Sequence, residues 1–490
     1  MIKYFIILLG SITWVATMWQ SGQQYDYGIG FWGPHGHDAV WHISLINSLT
    51  QGTLSLPMFA GESLKNYHFG FDVMTALLVK LTGISASVYY FQILPIIFSL
   101  TIGFLVYYLT RNIWSTYLTY FATGMGWIIG KGESTFWAQQ AISTLINPPY
   151  ALSLIFLLLG FIYLKKKNYL LTSIFLGTVG FIKIYAGMLG LFTLFFFSFP
   201  WFLVACGLSI VLFLPFNSLS TSTLIFEPLW FVQNLFSDPD RFYSSRMFNY
   251  LHSTNYLKLI PAYVFAILIF FLGNLGVRVF GLLKIRSHFL PLIILGLLFP
   301  LFFVQSGTTW NTIQFMYYSL FFLGLFIKPK NIIFVICILV LTLPAIPATL
   351  RHYLPERPPA TIPTSEVQAL NFLRTLPAGI VLVPLFDKNN FSKFTEPRPL
   401  FAYESTAYVS AYTGHPVFLE DEVNLKILNI DIQNRRQIVS EIFTSNKQPP
   451  ENIQYIYIPD VTKINPSFNP SLLGFTQIYS FGPTQLWSKN

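Results

Sequence analysis

Long apolar runs alternate with polar stretches over the first 350 residues of the chain. A helix needs roughly 17 to 25 apolar residues to cross the hydrocarbon core of a bilayer, and it satisfies its own backbone hydrogen bonds there. The pattern predicts eleven membrane-spanning helices, and the nearly continuous apolar stretch 169–216 fits two or three of them. The predicted spans are residues 2–19, 88–109, 113–130, 150–164, 169–184, 186–200, 202–216, 257–277, 289–304, 311–327 and 331–347.

Polar segments between the spans are candidates for the functional part of the molecule. We expect residues 21–87, 131–149 and 217–256 to be loops on the same side of the membrane. In the first of these, residues 38–49 and 71–82 carry apolar side chains at helical spacing. This spacing predicts two amphipathic helices that lie in the membrane interface.

The composition changes after a proline-rich stretch at residues 355–363, beyond which polar and apolar residues mix as in a soluble protein. Helices are predicted at 366–375 and 434–443, strands at 379–385 and 453–458, and a hairpin at 475–487. We therefore predict an α-helical polytopic membrane protein. Residues 1–350 form its transmembrane domain, and residues 351–490 form a C-terminal extracytosolic α/β domain.

The position of the charges predicts the orientation of the chain. Hydrophobic residues make up 53% of the chain and charged residues only 10%. The net charge of +9 becomes informative once the charges are placed along the chain. Positive loops stay on the cytoplasmic side, so we place the protein in the cytoplasmic membrane with its N-terminus in the cytoplasm, and we expect no nucleic-acid partner. The basic connections without acidic residues contain Lys3, Arg111, Lys165 to Lys167, Arg278 with Lys284 and Arg286, and Lys328 with Lys330.

The densest cluster of polar side chains follows the first span, in the sequence His35-Gly-His37-Asp38-Ala-Val-Trp-His42. An acid flanked by imidazoles can abstract a proton, orient a hydroxyl or hold a divalent metal. His42 follows Asp38 by one helical turn, which makes both catalytic candidates. Alternatively, Asp38 only caps a helix. A zinc site made from His37, His42 and an acid lacks the spacing of a zinc-protease helix, so the metal ligands stay unknown.

Three further kinds of charged side chain are candidates. Glu133 is the one acid in loop 131–149, and it is either a third catalytic residue or a solvated loop acid. Arg241 and Arg246 match the oxygens of a substrate phosphate or those of ordinary lipid headgroups. Lys183 lies near the outer end of a predicted span, where it binds substrate or extends to the membrane surface.

Aromatic, amide and imidazole groups complete the substrate-binding candidates. Trp310 and Gln314 form a polar rim at the outer end of two spans, and such a rim suits a sugar ring or the aromatic belt of a membrane protein. His68 precedes the second amphipathic segment, and with His37 it could face the same ligand.

The glycines of residues 28–33, Gly-Ile-Gly-Phe-Trp-Gly, formally match a dinucleotide-binding fingerprint. That fingerprint needs a preceding strand and a following helix, whereas a predicted span precedes this segment and Pro34 follows it. We therefore expect a flexible loop.

Residues 37–83 resemble the multi-spanning glycosyltransferases of the GT-C fold, a superfamily that includes mannosyltransferases. The resemblance is carried by Asp38, His42, the Leu-rich amphipathic helix, Gly52, Pro57, Tyr67-His68 and residues 77–83. Three later segments also resemble such proteins, namely Ala369 to Arg374, Tyr412 to Gly414 and Tyr455 to Ile458.

The resemblance implies that Asp38 is the base that activates an acceptor hydroxyl, with His42 taking part. The donor would be a sugar on a polyprenyl phosphate, and its lipid chain would lie among the helices. The acceptor would be a glycan, a lipid or a protein. Many members carry adjacent acids or an acid-x-acid motif, whereas His37 and Ala39 flank the acid here. No cofactor is assigned, although the resemblance leaves a divalent cation open.

Two other classes of protein fit the same hydrophobic pattern. A transporter predicts paired polar groups near the bilayer centre, and the predicted spans contain few. A membrane scaffold without catalytic activity predicts the same helices but has no use for the Asp38 carboxylate.

Overall fold

A computed structural model describes residues 1–138, 141–217, 224–285 and 287–490. The chain is mostly helical and divides into two compact units. The first unit contains residues 1–17, 68–71 and 94–353, and the second contains residues 18–67, 72–93 and 354–490. The first long polar segment therefore belongs mostly to the same compact unit as the C-terminal residues, a grouping that the sequence pattern did not reveal.

Apolar helices dominate the membrane part of the chain. Within the described residues, six helices are long and apolar enough to cross a membrane: Ile2–Trp19, Ala86–Thr110, Pro148–Lys165, Phe199–Phe216, Tyr256–Lys284 and Ile332–Tyr353. Three shorter apolar helices are Tyr169–Ile182, Ile184–Phe197 and Leu290–Phe302. Each of these helices coincides with a predicted span, and their composition indicates a membrane-embedded protein.

Two predicted spans are helical over a short stretch, Ile113–Phe121 and Gln314–Gly324. The first ends early because the N–H of Met125 donates to the carbonyl of Gly273 at 2.8 Å. A Cβ at Gly124 would lie 2.8 Å from the same carbonyl oxygen, so the close approach of the two backbones requires glycine. The count of eleven spans stays a prediction.

Short elements occupy the polar segments of the first unit. Strands Leu224–Phe226 and Phe303–Gln305 pair in an antiparallel ladder. Two short helices, Trp230–Asn234 and Ser245–Leu251, lie in the segment that the sequence predicted as a loop.

Three basic segments that are far apart in sequence meet at one end of the first unit. The Lys3 ammonium lies 4.7 Å from the centre of the Tyr107 ring. On the neighbouring Tyr108 ring, the Arg111 guanidinium lies at 4.8 Å and the Lys166 ammonium at 5.3 Å. The predicted cytoplasmic charges of these segments are therefore gathered in one place.

The prediction that Arg278 lies in a water-facing cytoplasmic loop is wrong, because the residue is buried. Arg278 is 2% exposed, and its guanidinium donates to the carbonyls of Ala122 and Asn274. The positive charge of Arg278 also acts to lower the pKa of Glu133. Burial of a charge is costly unless it is paired and hydrogen-bonded, and these partners meet that need.

Two four-stranded sheets organise the second unit. In order, one contains Gln24–Tyr25, Gly28–Phe31, Ala360–Pro363 and Arg398–Pro399, and the other contains Ile380–Leu382, Ile453–Ile458, Thr484–Lys489 and Phe475–Phe481. The last pair of the first sheet and the first pair of the second are parallel, and the others are antiparallel. The α-helices of this unit include Asp38–Thr50, Gly70–Thr82, Ala86–Val88, Thr364–Arg374, Leu400–Tyr403, Tyr408–Thr413, Glu422–Ile427 and Gln433–Ser445.

The prediction of a flexible loop at residues 28–33 is wrong for its first part. Gly28–Phe31 is a strand that pairs antiparallel with Ala360–Pro363. Gly28 has a φ of +125°, and a Cβ there would lie 2.0 Å from the carbonyl oxygen of Ile362. Glycine is required at this position because another strand lies against its backbone.

Candidate functional site

Asp38 presents an accessible carboxylate at the start of the helix Asp38–Thr50. Its side chain is 51% exposed. The N-cap of this helix is His37, and no side-chain capping bond is made there. The alternative that Asp38 is the capping residue is therefore wrong. It lies instead in the first helical turn, where the helix dipole favours a negative charge.

His37 joins Asp38 to a second carboxylate that the sequence did not reveal. Its Nδ1 lies 3.1 Å from Oδ1 of Asp38, and its Nε2 lies 3.4 Å from Oδ1 of Asp421. Burial alone would lower the pKa of His37, but the hydrogen bonds and charges of the two carboxylates outweigh it and raise that pKa well above its ordinary value. The ring thus lies between two acids that favour its charged form.

Asp421 is held in place by its own helix. It is the N-cap of Glu422–Ile427, and its Oδ1 accepts the backbone N–H of Asn424. The side-chain amide of Asn424 donates to Oδ2 of Asp421 at 2.9 Å. Asp421 is buried and has a φ of +52°, a left-handed conformation that is uncommon in residues other than glycine, asparagine and aspartate.

A cavity of about 110 Å³ borders this acidic cluster. Its wall includes Asp421, Glu404, Phe401 and Lys463. Burial raises the pKa of Glu404, an effect that the charge of His37 opposes. The cavity therefore combines acidic, basic and aromatic groups beside the buried carboxylate.

His42 has partners of its own. Its Nδ1 lies 2.7 Å from Oδ1 of Asp72, and both side chains are buried. The Tyr90 ring stacks on the imidazole with 5.8 Å between ring centres, and the Tyr67 hydroxyl lies 3.5 Å from Nε2. The two helices predicted at 38–49 and 71–82 are therefore confirmed as helices, and they contact each other through His42 and Asp72. The prediction that the first is an amphipathic helix in the membrane interface is wrong, because its side chains are buried on nearly every side.

In the first unit, His68 and Lys183 both approach Tyr185. Lys183 is buried and separates two apolar helices, and its Nζ lies 5.9 Å from the centre of the Tyr185 ring. The His68 ring centre lies 6.5 Å from the same ring. The Tyr185 hydroxyl donates to Oε1 of Gln305 at 2.9 Å. Two predicted substrate-binding residues thus converge on one polar position.

Glu133 is not a solvated loop acid, because it is 2% exposed. It accepts the backbone N–H of Ser143 at 2.9 Å and also the Ser143 hydroxyl. Burial raises the pKa of Glu133 to about 7, and the hydrogen bonds from Ser143 and the charge of Arg278 oppose that rise. Its catalytic role stays a prediction.

The two candidate arginines differ in their surroundings. The Arg241 guanidinium lies 4.3 Å from the centre of the Trp137 ring and donates to the Ser134 carbonyl at 2.6 Å. Arg246 is exposed and donates to the Tyr250 hydroxyl at 3.1 Å. Arg241 therefore already links two segments of the first unit, whereas Arg246 is accessible.

Trp310 and Gln314 do not share one accessible rim. The side chain of Trp310 is exposed, whereas Gln314 is buried and its amide contacts Oδ1 of Asn311 at 3.4 Å. A common role for both in binding a sugar stays a prediction.

The described ranges contain no group of three or more His, Cys, Asp or Glu side chains that could hold a metal ion. His37 and His42 lie against different carboxylates, so the zinc arrangement considered for them does not form. We assign no step of the chemistry to a metal.

Comparison with known proteins does not assign the chain to a family. No protein-family model matches it, and no curated protein matches it. The candidate function therefore rests on the residues described above.

Proposed function

We propose that the chain is an inverting membrane glycosyltransferase that moves a sugar from a polyprenyl-phosphate donor to an extracytosolic acceptor in the synthesis of cell-envelope glycans or glycolipids. The exposed Asp38 carboxylate, oriented by His37 at the start of a helix, is the observation that carries this proposal. The resemblance of residues 37–83 to GT-C enzymes supplies the type of reaction.

In the proposed reaction, an acceptor hydroxyl attacks C1 of the donor sugar while the bond from C1 to the phosphate oxygen breaks. The electron pair of that bond leaves with the polyprenyl phosphate, and the hydroxyl proton moves to Asp38. The transition state resembles an oxocarbenium ion, so a base at the incoming oxygen and positive charge at the leaving phosphate both lower the barrier.

Within the first unit, Lys183 is our candidate for binding a phosphate group. It is buried, and it directly precedes the helix Ile184–Phe197. The N-terminus of a helix adds positive potential and free N–H groups for an anion. His68 would support the same group, and the accessible Arg246 is an alternative.

The cavity beside Asp421 and Glu404 is our candidate for the acceptor site. The Glu404 carboxylate would accept hydrogen bonds from sugar hydroxyls, and the Phe401 ring in the same wall offers an apolar surface, whereas the side chain of Asp421 is 0% exposed. A glycan, a lipid-linked glycan or a glycosylated protein would each present such hydroxyls.

We also propose eleven spans, a cytoplasmic N-terminus and an extracytosolic α/β domain at residues 351–490. The meeting of Lys3, Arg111 and Lys166 at one end of the first unit supports this orientation. The mixed sheet that contains Ile453–Ile458 supports the α/β assignment.

Asp38→Asn should reduce sugar transfer about a hundredfold or more, because loss of a general base typically costs that much. The full chain in lipid nanodiscs would be assayed with a panel of polyprenyl-phosphate sugars and a membrane glycan extract. Asp26→Asn, an exposed acid of the same unit, should retain full transfer.

Full transfer by a folded Asp38→Asn protein would contradict the proposal. Movement of the intact donor across vesicles without any transfer would favour a transporter instead.

A further inference from the structure

In the second unit, Asp38 contacts His37 and His37 contacts Asp421, and the exposure of the three side chains decreases in that order. The side chain of Asp38 is 51% exposed, that of His37 is 11% exposed and that of Asp421 is 0% exposed. The two ring nitrogens of His37 point at different carboxylates, at 3.1 Å and 3.4 Å. With both nitrogens protonated, the ring donates in both directions and cannot rotate without losing a charged hydrogen bond.

The buried end of this series of contacts is fixed independently of the ring. Asp421 accepts both the backbone and the side-chain N–H groups of Asn424, and its backbone is in the left-handed region. Such a conformation persists only when the surrounding structure imposes it. Asp421 is therefore an anchor whose position does not depend on Asp38.

The charges that face the His37 ring are mostly negative. Asp38 belongs to the adjoining helix, Asp421 to the helix Glu422–Ile427, and Glu404 follows the helix Leu400–Tyr403. Burial opposes the charged form of the ring, and the acids favour it. While it is charged, the imidazole directs its Nδ1–H at one oxygen of Asp38.

We propose that Asp421 is a positioning residue that acts through the His37 ring to hold the Asp38 carboxylate in one orientation. The inference rests on the proposed function, in which Asp38 is the base. Asp421 lies behind the ring, His37 transmits its effect, and of these three residues only Asp38 contacts the substrate.

Asp421→Asn tests this inference with little structural disturbance. Asparagine is as good an N-cap as aspartate and tolerates the left-handed backbone, but it removes the charge. The pKa of His37 would be measured in the full chain in detergent, from the exchange of its C2 proton with deuterium followed by mass spectrometry. We expect Asp421→Asn to lower that pKa by about one unit or more, and Asp26→Asn to leave it unchanged.

The same variant should lower kcat about ten- to hundredfold, since a misplaced base slows the chemical step, while KM changes little. The alkaline limb of its pH profile should move to lower pH. His37→Gln gives a second readout, because glutamine can donate to Asp38 but cannot carry a charge. That protein should lack the alkaline limb altogether.

An unchanged His37 pKa in Asp421→Asn would overturn the inference whatever the activity. An alkaline limb that persists in His37→Gln would also overturn it, including in the case that Asp421→Asn does not fold. Full activity of Asp38→Asn would instead refute the proposed function, and the effect of Asp421 on the His37 pKa would still be observed.

Discussion

Several acids of the second unit are buried against hydrogen-bond donors and not against cations. Glu366 accepts the hydroxyls of Tyr408 and Tyr457, and burial raises its pKa to about 7. Glu420 accepts the backbone N–H groups of Val409 and Ser410, and burial raises its pKa to about 8. Such groups make the stability of the unit depend on pH near neutrality.

The Glu366 carboxyl should destabilise the folded protein as pH rises. Its folded pKa of about 7 exceeds the ordinary value of 4.5, so between these pH values the folded chain holds a proton that the unfolded chain has lost. Stability therefore falls through this window, by at most about 3 kcal/mol. Glu366→Gln keeps an acceptor for both tyrosines and should be more resistant to thermal unfolding than the natural protein at pH 8, but not at pH 4.5.

The measurement is the unfolding temperature of both proteins across this pH range. Glu451→Gln, an exposed acid of the same unit, is the control and should follow the natural protein. Parallel pH curves for Glu366→Gln and the natural protein would contradict the expectation.

Among single residues, the sequence revealed only those members of the candidate site that are neighbours along the chain. Asp38, His37 and His42 are neighbours along the chain, so their helical spacing identified them. Asp421 and Asp72 come from distant segments, and no local pattern shows that each lies against an imidazole. Local spacing predicts which side chains are adjacent on a helix, but it does not predict which partner packs against them.

Among the helices and strands, those defined by local periodicity were predicted, whereas those that depend on a distant segment were not. The helix Gly70–Thr82 and the strand Ile453–Ile458 were predicted within a residue, because their periodicity is a local property. The strand Gly28–Phe31 was missed because the partner that pairs along its whole length lies more than 300 residues later. The helix Ile113–Phe121 is shorter than its apolar run because Met125 bonds to a different segment.

Gly28→Ala should destabilise the second unit by about 3 kcal/mol or more, because the new methyl group would collide with the backbone of the paired strand. Gly474→Ala is a matched control in the same unit. It also has a positive φ, of +79°, but nothing lies within 4 Å of its added Cβ. It should cost only about 1 kcal/mol of backbone strain, so the difference in denaturant midpoint reports the collision together with the greater backbone strain of alanine at a φ of +125°. Equal losses in the two variants would argue against close pairing at Gly28.

At the scale of the whole molecule, the proposed orientation can be tested by labelling. In a chain with Cys206 and Cys337 replaced by serine, Ser445→Cys should react with an impermeant maleimide on intact cells. Lys166→Cys should react only after permeabilisation, because it lies at the basic end of the first unit. The reverse pattern would place Asp38 and its proposed acceptor site on the cytoplasmic side and exclude the reaction as proposed.

The discontinuous second unit imposes an order on biosynthesis. Residues 18–93 leave the ribosome early, but the unit that contains them also needs residues 354–490. The strand Gly28–Phe31 can pair only after Ala360–Pro363 has been translated, and His37 can contact Asp421 only after residue 421 has been translated. The early segment must therefore stay free of aggregation while the later helices are inserted. A chain whose translation stops before residue 354 would carry Asp38 without the groups that orient it.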